Sequence, residues 1–130
     1  VSISVRIVTP RAVAFEGEAQ RVEAPGHEGE FGVLPDHIPF LTLSHPGRLT
    51  VTEVNGTQHA FIVGAGFAEA GPERVTVLTD LCEEVGAYPS AQAQSDLEAA
   101  KAALGQAAQG TAAWDAAERD ALLARARLAR

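Results

Sequence analysis

Residues 48–82 read RLTVTEVNGTQHAFIVGAGFAEAGPERVTVLTDLC, and this stretch decides the fold class. Arg48 to Val54 alternates apolar and polar residues, as a half-buried strand requires, because successive side chains of a strand point to opposite faces. Asn55-Gly56 follows, a dipeptide suited to a type I′ turn, in which both central residues take positive φ. The spacing therefore predicts an antiparallel return over Gln58 to Gly64. Phe67 to Ala70 pairs next, Gly71-Pro72 turns the chain again, and Arg74 to Cys82 closes the set with Val75, Val77 and Thr79 on one face. Short strands at this spacing, separated by turn signals, predict a sandwich or flattened barrel.

Upstream the same pattern holds. Ile3, Val5 and Ile7 alternate with Ser2, Ser4 and Arg6 until Thr9-Pro10 ends the strand. Ala12 to Glu16, Gln20 to Ala24, Glu30 to Leu34 and Phe40 to Ser44 read as further strands, stopped by Pro25-Gly26 and Pro35. Residues 1–88 are thus expected to form an all-β sandwich of about ten strands. Downstream, the composition changes at Tyr88-Pro89: alanine dominates and proline is absent. Residues 89–130 read as two helices, the first from Pro89-Ser90 to about Ala108, the second capped by Thr111 and running to the C-terminus. Ala93, Leu97, Ala100 and Leu104 form one apolar stripe; Trp114, Ala117, Ala121, Ala124 and Leu128 form the other. Two stripes joined by a short break predict an antiparallel helical hairpin. Alanine methyls bury little area, so this hairpin needs a surface to lean on, its own sandwich or a partner. A marginal element with two docking places is a natural switch.

The 130 residues carry a formal charge of -7 and are 46% hydrophobic, which allows a packed core. Twelve acids and five bases fall in residues 1–88, five of each thereafter. Such a balance argues against nucleic acid and against an anionic membrane surface as main partner. Cys82 stands alone, so no internal disulfide is possible; its apolar strand setting reads as a small buried hydrophobe. The longest apolar run, Ala60 to Ala68, is too short to span a bilayer, and no basic-then-apolar leader opens the chain at Val1. These features give no reason to expect the chain outside the cell.

Catalytic and cofactor signals are missing. No Gly-x-x-x-x-Gly-Lys-Ser/Thr loop occurs, and Gly64-Ala65-Gly66 runs into Phe67-Ala68-Glu69 between strands, which reads as a hairpin or bulge. His27, His37, His45 and His59 show no metal-ligand spacing, and no serine or cysteine has a nucleophile's setting. The expectation is a nonenzymatic chain with no cofactor and no metal.

Two stretches suit partners instead. Gly26 to Pro46, GHEGEFGVLPDHIPFLTLSHP, combines glycines, carboxylates and histidines with three stiffening prolines, at 35, 39 and 46. It reads either as turn chemistry or as a rigid loop set presenting Glu28, Glu30 and His37. On the second helix, Arg119, Leu123, Arg127 and Arg130 lie on or near the face opposite the alanine stripe. They read either as solvated charge at the negative end of the helix dipole or as a docking surface for acidic helices.

The run Glu28-Gly29-Glu30-Phe31-Gly32-Val33-Leu34-Pro35-Asp36-His37-Ile38-Pro39 resembles the EGE-x-G-x-x-P-x-H signature of F-type ATP synthase epsilon subunits. Ile7-Val8-Thr9-Pro10 resembles that family's first strand, and Thr76-Val77-Leu78-Thr79-Asp80 its last. The resemblance implies a central-stalk subunit that couples the c-subunit ring to the gamma shaft of a proton-driven synthase. It implies a ring contact at Glu28 and Glu30, flanked by His37. It also implies a hairpin that either extends along gamma to block ATP hydrolysis, its second-helix arginines meeting an acidic segment of the beta subunit, or stays folded as a structural clamp. The arginines assigned to that contact, Arg119, Arg127 and Arg130 with Leu123 among them, come from helical-face geometry. ATP-binding members carry I/L-D-x-x-R-A where the first helix begins; here Tyr88-Pro89-Ser90-Ala91-Gln92-Ala93 replaces the aspartate by Pro89 and the arginine by Gln92, so ATP sensing of that kind is not expected. From another class, the sequence also fits a β-sandwich ligand-binding module whose helices oligomerise.

Overall fold

The computed structural model describes residues 2–26, 29–35 and 39–129, with backbone alone at residues 26, 29–31 and 40. The described residues form β1 (Ile3–Val8), β2 (Val13–Gly26), β3 (Gly29–Val33), β4 (Phe40–Ser44), β5 (Gly47–Glu53), β6 (Gln58–Val63), β7 (Gly66–Ala70), β8 (Arg74–Thr79), β9 (Cys82–Glu84), α1 (Ser90–Gln106) and α2 (Ala112–Leu128). A sandwich followed by a helical pair is the fold class expected. The described residues form nine strands where about ten are expected; Ala12 to Glu16 and Gln20 to Ala24 merge into β2, and the last expected strand divides into β8 and β9.

β2 is long because it serves both layers. Its first half pairs antiparallel with β1, and its second half lies between β3 and β5. The inward set changes phase along it: Ala19 is buried, Gln20 and Arg21 are exposed, and Val22 and Ala24 are buried again. The register with β5 shifts between Ala19 and Arg21. A bulge there re-aims the side chains as the strand crosses from one layer to the other. One layer runs β2–β1–β8–β7–β4, with β1 and β8 parallel; the other runs β3–β2–β5–β6–β9. Pairing of Gly26 with Ser44 returns β4 to β2 and flattens the whole into a closed barrel. Between the layers Ile3, Ile7, Leu49, Val51, Val75 and Val77 are almost fully buried.

Gly64-Ala65-Gly66 is a corner rather than a ligand loop. β6 bends there into β7 while Asp80-Leu81 bends β8 into β9, and the two bends are tied together. The Gly64 N–H donates to the Leu81 carbonyl at 2.9 Å and the Asp80 N–H to the Ala65 carbonyl at 3.2 Å. A Cβ on Gly64 would strike the Asp80 carboxylate, and one on Gly66 would strike the Leu78 carbonyl. Only glycine lets the strands cross this closely.

The β5–β6 turn differs from expectation. The Gly56 N–H donates to the Glu53 carbonyl at 2.9 Å, the Glu53 N–H donates to the Thr57 carbonyl at 2.8 Å, and Gly56 has φ 92°. Three residues, not two, therefore make the loop, in the pattern of a type I turn closed by a left-handed glycine. The Asn55 side chain accepts from the Thr57 N–H at 2.9 Å, which stabilises this longer form.

The helices pack through the expected stripes. Ala93, Leu97 and Ala100 of α1 and Ala117, Ala121 and Ala124 of α2 are buried, with Leu104 and Leu128 at the margin of the cluster. Thr111 caps α2, accepting from the Trp114 N–H at 3.3 Å, and Gly110 at φ 89° turns the chain. α1 ends at Gln106, two residues earlier than expected. α2 lies against β5 and β6. That contact explains why Thr52 and Ile62, which face away from the barrel interior, are nevertheless 4% and 2% exposed.

Candidate functional site

Of the residues assigned to the ring contact, Glu28 and His37 lie outside the described residues, and Glu30 is described by its backbone alone. β3 places that backbone: Glu30 pairs with Pro25, and Gly29 with Gly26. Of the helical set, Arg130 also lies outside the described residues. Arg119 is exposed, whereas Leu123 is half-buried and lines a cleft of about 310 Å³ between the helices with Asp96, Ala99 and Asp120. The outward-facing Leu123 expected from the helical wheel is thus turned partly into the helix pair.

Arg127 is engaged within the chain. Its Nε donates to Glu83 Oε1 at 2.6 Å and its Nη2 to Glu83 Oε2 at 3.1 Å, a two-pronged pair joining α2 to β9. The guanidinium carbon stands 3.6 Å from the centroid of the Tyr88 ring. The Tyr88 hydroxyl donates to Asp96 Oδ2 at 2.6 Å, and the Gln92 amide donates to Asp96 Oδ1 at 2.9 Å. These bonds hold the Asp96 carboxyl below its ordinary pKa, the Tyr88 hydroxyl contributing most. The same hydrogen bond lifts the Tyr88 phenol above its ordinary value. Arg127 is raised as well, chiefly by its bond to Glu83. Strand, linker and both helices meet in this one cluster.

A surface that sequence reasoning missed lies on the outer face of the β1–β8–β7–β4 layer. Val8 pairs with Leu78, Leu78 with Phe67, and Phe67 with Leu43. Directly paired residues share a face about 5 Å apart, so these four form a continuous apolar row across four strands. Leu78, Phe67 and Leu43 are 50%, 49% and 49% exposed, and Leu41 beside them is 66% exposed. An open groove of about 1000 Å³ continues from Leu41 past Glu69 to Arg74 and Glu18. The signal was present: β4, β7 and β8 carry large apolar residues on the phase opposite their core residues. A sandwich strand needs only one such phase to fill the core, and the second leaves an apolar face exposed.

Among the described residues no three His, Cys, Asp or Glu side chains converge. The His59 ring meets Phe15 at a tilt of 51° with centroids 5.2 Å apart, and its Nε2 lies 3.3 Å from Glu53 Oε2. Cys82 packs against the barrel core, and burial raises its thiol pKa. No described helix is long and apolar enough to cross a membrane.

Comparison with known proteins places the chain. Residues 2–85 match the family described as ATP synthase, Delta/Epsilon chain, beta-sandwich domain, and the chain belongs to that family. An ATP synthase epsilon chain of Bradyrhizobium sp. (strain ORS 278) is 47% identical over 75 residues, which cover 58% of this chain and 55% of that relative. The epsilon chain of Anaeromyxobacter sp. (strain K) is 38% identical over 101 residues, covering 78% of this chain and 76% of the relative. A chain in the Euglena gracilis mitochondrial ATP synthase structure superposes with a TM-score of 0.82 at 19% identity, over 95% of this chain and 78% of that one. One from the Tetrahymena thermophila mitochondrial ATP synthase central stalk and c-ring gives 0.61 at 15%, over 98% and 96%. At those identities the likeness is one of fold, and it extends across the helices that the family match leaves out.

Proposed function

We propose that the chain is a noncatalytic central-stalk subunit of an F-type ATP synthase. In this reading the sandwich couples the c-subunit ring to the gamma shaft, and the helical hairpin restrains ATP hydrolysis. The complex would serve the cytoplasmic face of a bacterial cell membrane, with this chain peripheral to it. The observation that carries the reading is the apolar row Val8–Leu78–Phe67–Leu43 on a stiff, doubly layered barrel of this family. A torque-transmitting subunit needs a rigid body with one dry face for the shaft and a separate polar loop set for the ring. Gamma is the partner assigned to the apolar row. Glu28, Glu30 and His37 are assigned to the ring, and Arg119, Leu123, Arg127 and Arg130 to an acidic segment of the beta subunit.

The test is ATP hydrolysis by the catalytic head, with full-length chain added and then with a version ending at Tyr88. Binding by both and inhibition by the full-length chain alone is the expected result. Equal binding without inhibition would reduce the hairpin to a clamp. Failure of either form to bind gamma would overturn the stalk assignment in favour of a ligand-binding module.

A further inference from the structure

We infer that Glu83 and Tyr88 form a clasp that sequesters Arg127 and holds the hairpin shut, and that an acidic partner surface must compete with Glu83 for the same guanidinium. The contact is built rather than incidental. Side-chain exposure is 10% for Arg127 and 20% for Glu83, against 54% and 65% for the Arg6–Glu16 surface pair. Both acceptor oxygens of Glu83 are used, and the Tyr88 ring closes over the guanidinium face. Tyr88 in turn is fixed to α1 through Asp96. One side chain in the last turn of α2 is thereby joined to an edge strand, to the linker and, through Tyr88, to the first helix.

The rest of the docking is weak enough for this clasp to matter. Leu97, Leu104 and Leu128 share the seam between the helices with alanines, but on the barrel side, where α2 lies on β5 and β6, the outward residues include Thr50, Thr52, Ala60 and Ile62, of which only Ile62 is large and apolar. Small side chains bury little area, so a shielded, two-pronged ion pair weighs heavily in the balance between closed and open. Competition follows from enclosure. The Nε and Nη2 edge of Arg127 grips Glu83, the Tyr88 ring lies over the guanidinium face, and the side chain is only 10% exposed. A partner's carboxylate therefore gains the full guanidinium only when the clasp opens. A ligand shifts such an equilibrium only by its differential affinity for the two states. The competition half of this inference rests on the proposed inhibitory role; the clasp itself does not.

Hydrogen exchange on the full chain tests the clasp. In Glu83→Gln the amides of α2 should exchange roughly tenfold faster or more, the loss expected for a hydrogen-bonded charge partner, while the strand amides keep their native rates. The charge swap Glu83→Arg with Arg127→Glu should restore much of the protection. Unchanged α2 exchange in Glu83→Gln would overturn the clasp. Should the strands of that variant also lose protection, Arg127→Gln, which leaves the barrel untouched, decides: fast α2 exchange upholds the clasp and native exchange sinks it. In the assembled complex, Glu83→Gln should deepen inhibition of hydrolysis. An opened hairpin with unchanged hydrolysis would uphold the clasp and remove the competition, and with it the inhibitory reading of the hairpin.

Discussion

Two glycines illustrate how differently one residue type acts. Gly66 sits where β7 leaves the corner, and a methyl there meets the Leu78 backbone, which cannot move without breaking the β7–β8 ladder. Gly66→Ala is expected to cost about 1–3 kcal/mol, the range for overpacking, read as a lower urea midpoint for the barrel. Gly105 lies in α1 with open space around its missing Cβ. Gly105→Ala should stabilise the helix by about 0.5–1 kcal/mol, since alanine loses less backbone freedom on folding. A barrel midpoint that stays put in Gly66→Ala would mean that the corner is not fixed by glycine.

At the scale of the element, the hairpin is joined to the barrel by a titratable set. Asp96 is lowered, and its contribution to closure is present above its unfolded-state pKa and lost as pH falls through the lowered value. Tyr88 is raised, and its contribution is present below its unfolded-state pKa and lost as pH rises through the raised value. Closure should therefore hold from the ordinary carboxylate range up to the ordinary tyrosine range and loosen on both sides. The effect is modest, because the Tyr88–Asp96 pair is reached by solvent. Trp114, the single tryptophan and half-buried on α2, reports thermal loosening of the hairpin by fluorescence. Tyr88→Phe should flatten both limbs of the pH profile; superimposable profiles would remove this bond from the account.

For the whole molecule, the two proposed partner faces make separate predictions. Phe67→Glu places a charge at the centre of the apolar row without touching the core, since Phe67 is half exposed. Gamma binding should weaken roughly a hundredfold or more, as for an interface anchor, with the unfolding midpoint nearly unchanged. Charge reversal at Glu28 and Glu30 should leave gamma binding intact and loosen assembly on the ring, seen as loss of the chain from purified complexes at moderate salt. Coupled weakening of both interfaces by either change would contradict the two-face arrangement.

Strand and helix identity, the Tyr88-Pro89 change of character, the Thr111 cap and both helical stripes were legible in residue order, because alternation, helical spacing and capping are local consequences of backbone geometry. The run at residues 28–39 carries the family resemblance in residue order alone. Tertiary structure alone decided that Gln20 and Arg21 bulge so that β2 can serve two layers. It alone placed Arg127 against Glu83 and Tyr88, and aligned Leu43, Phe67 and Leu78 into one row. The three-residue turn that replaces the type I′ form is settled locally, by Asn55 and Gly56; the others depend on residues far apart in the chain meeting in space. A helical wheel shows which way Arg127 points, but only the packed barrel supplies the carboxylate it meets.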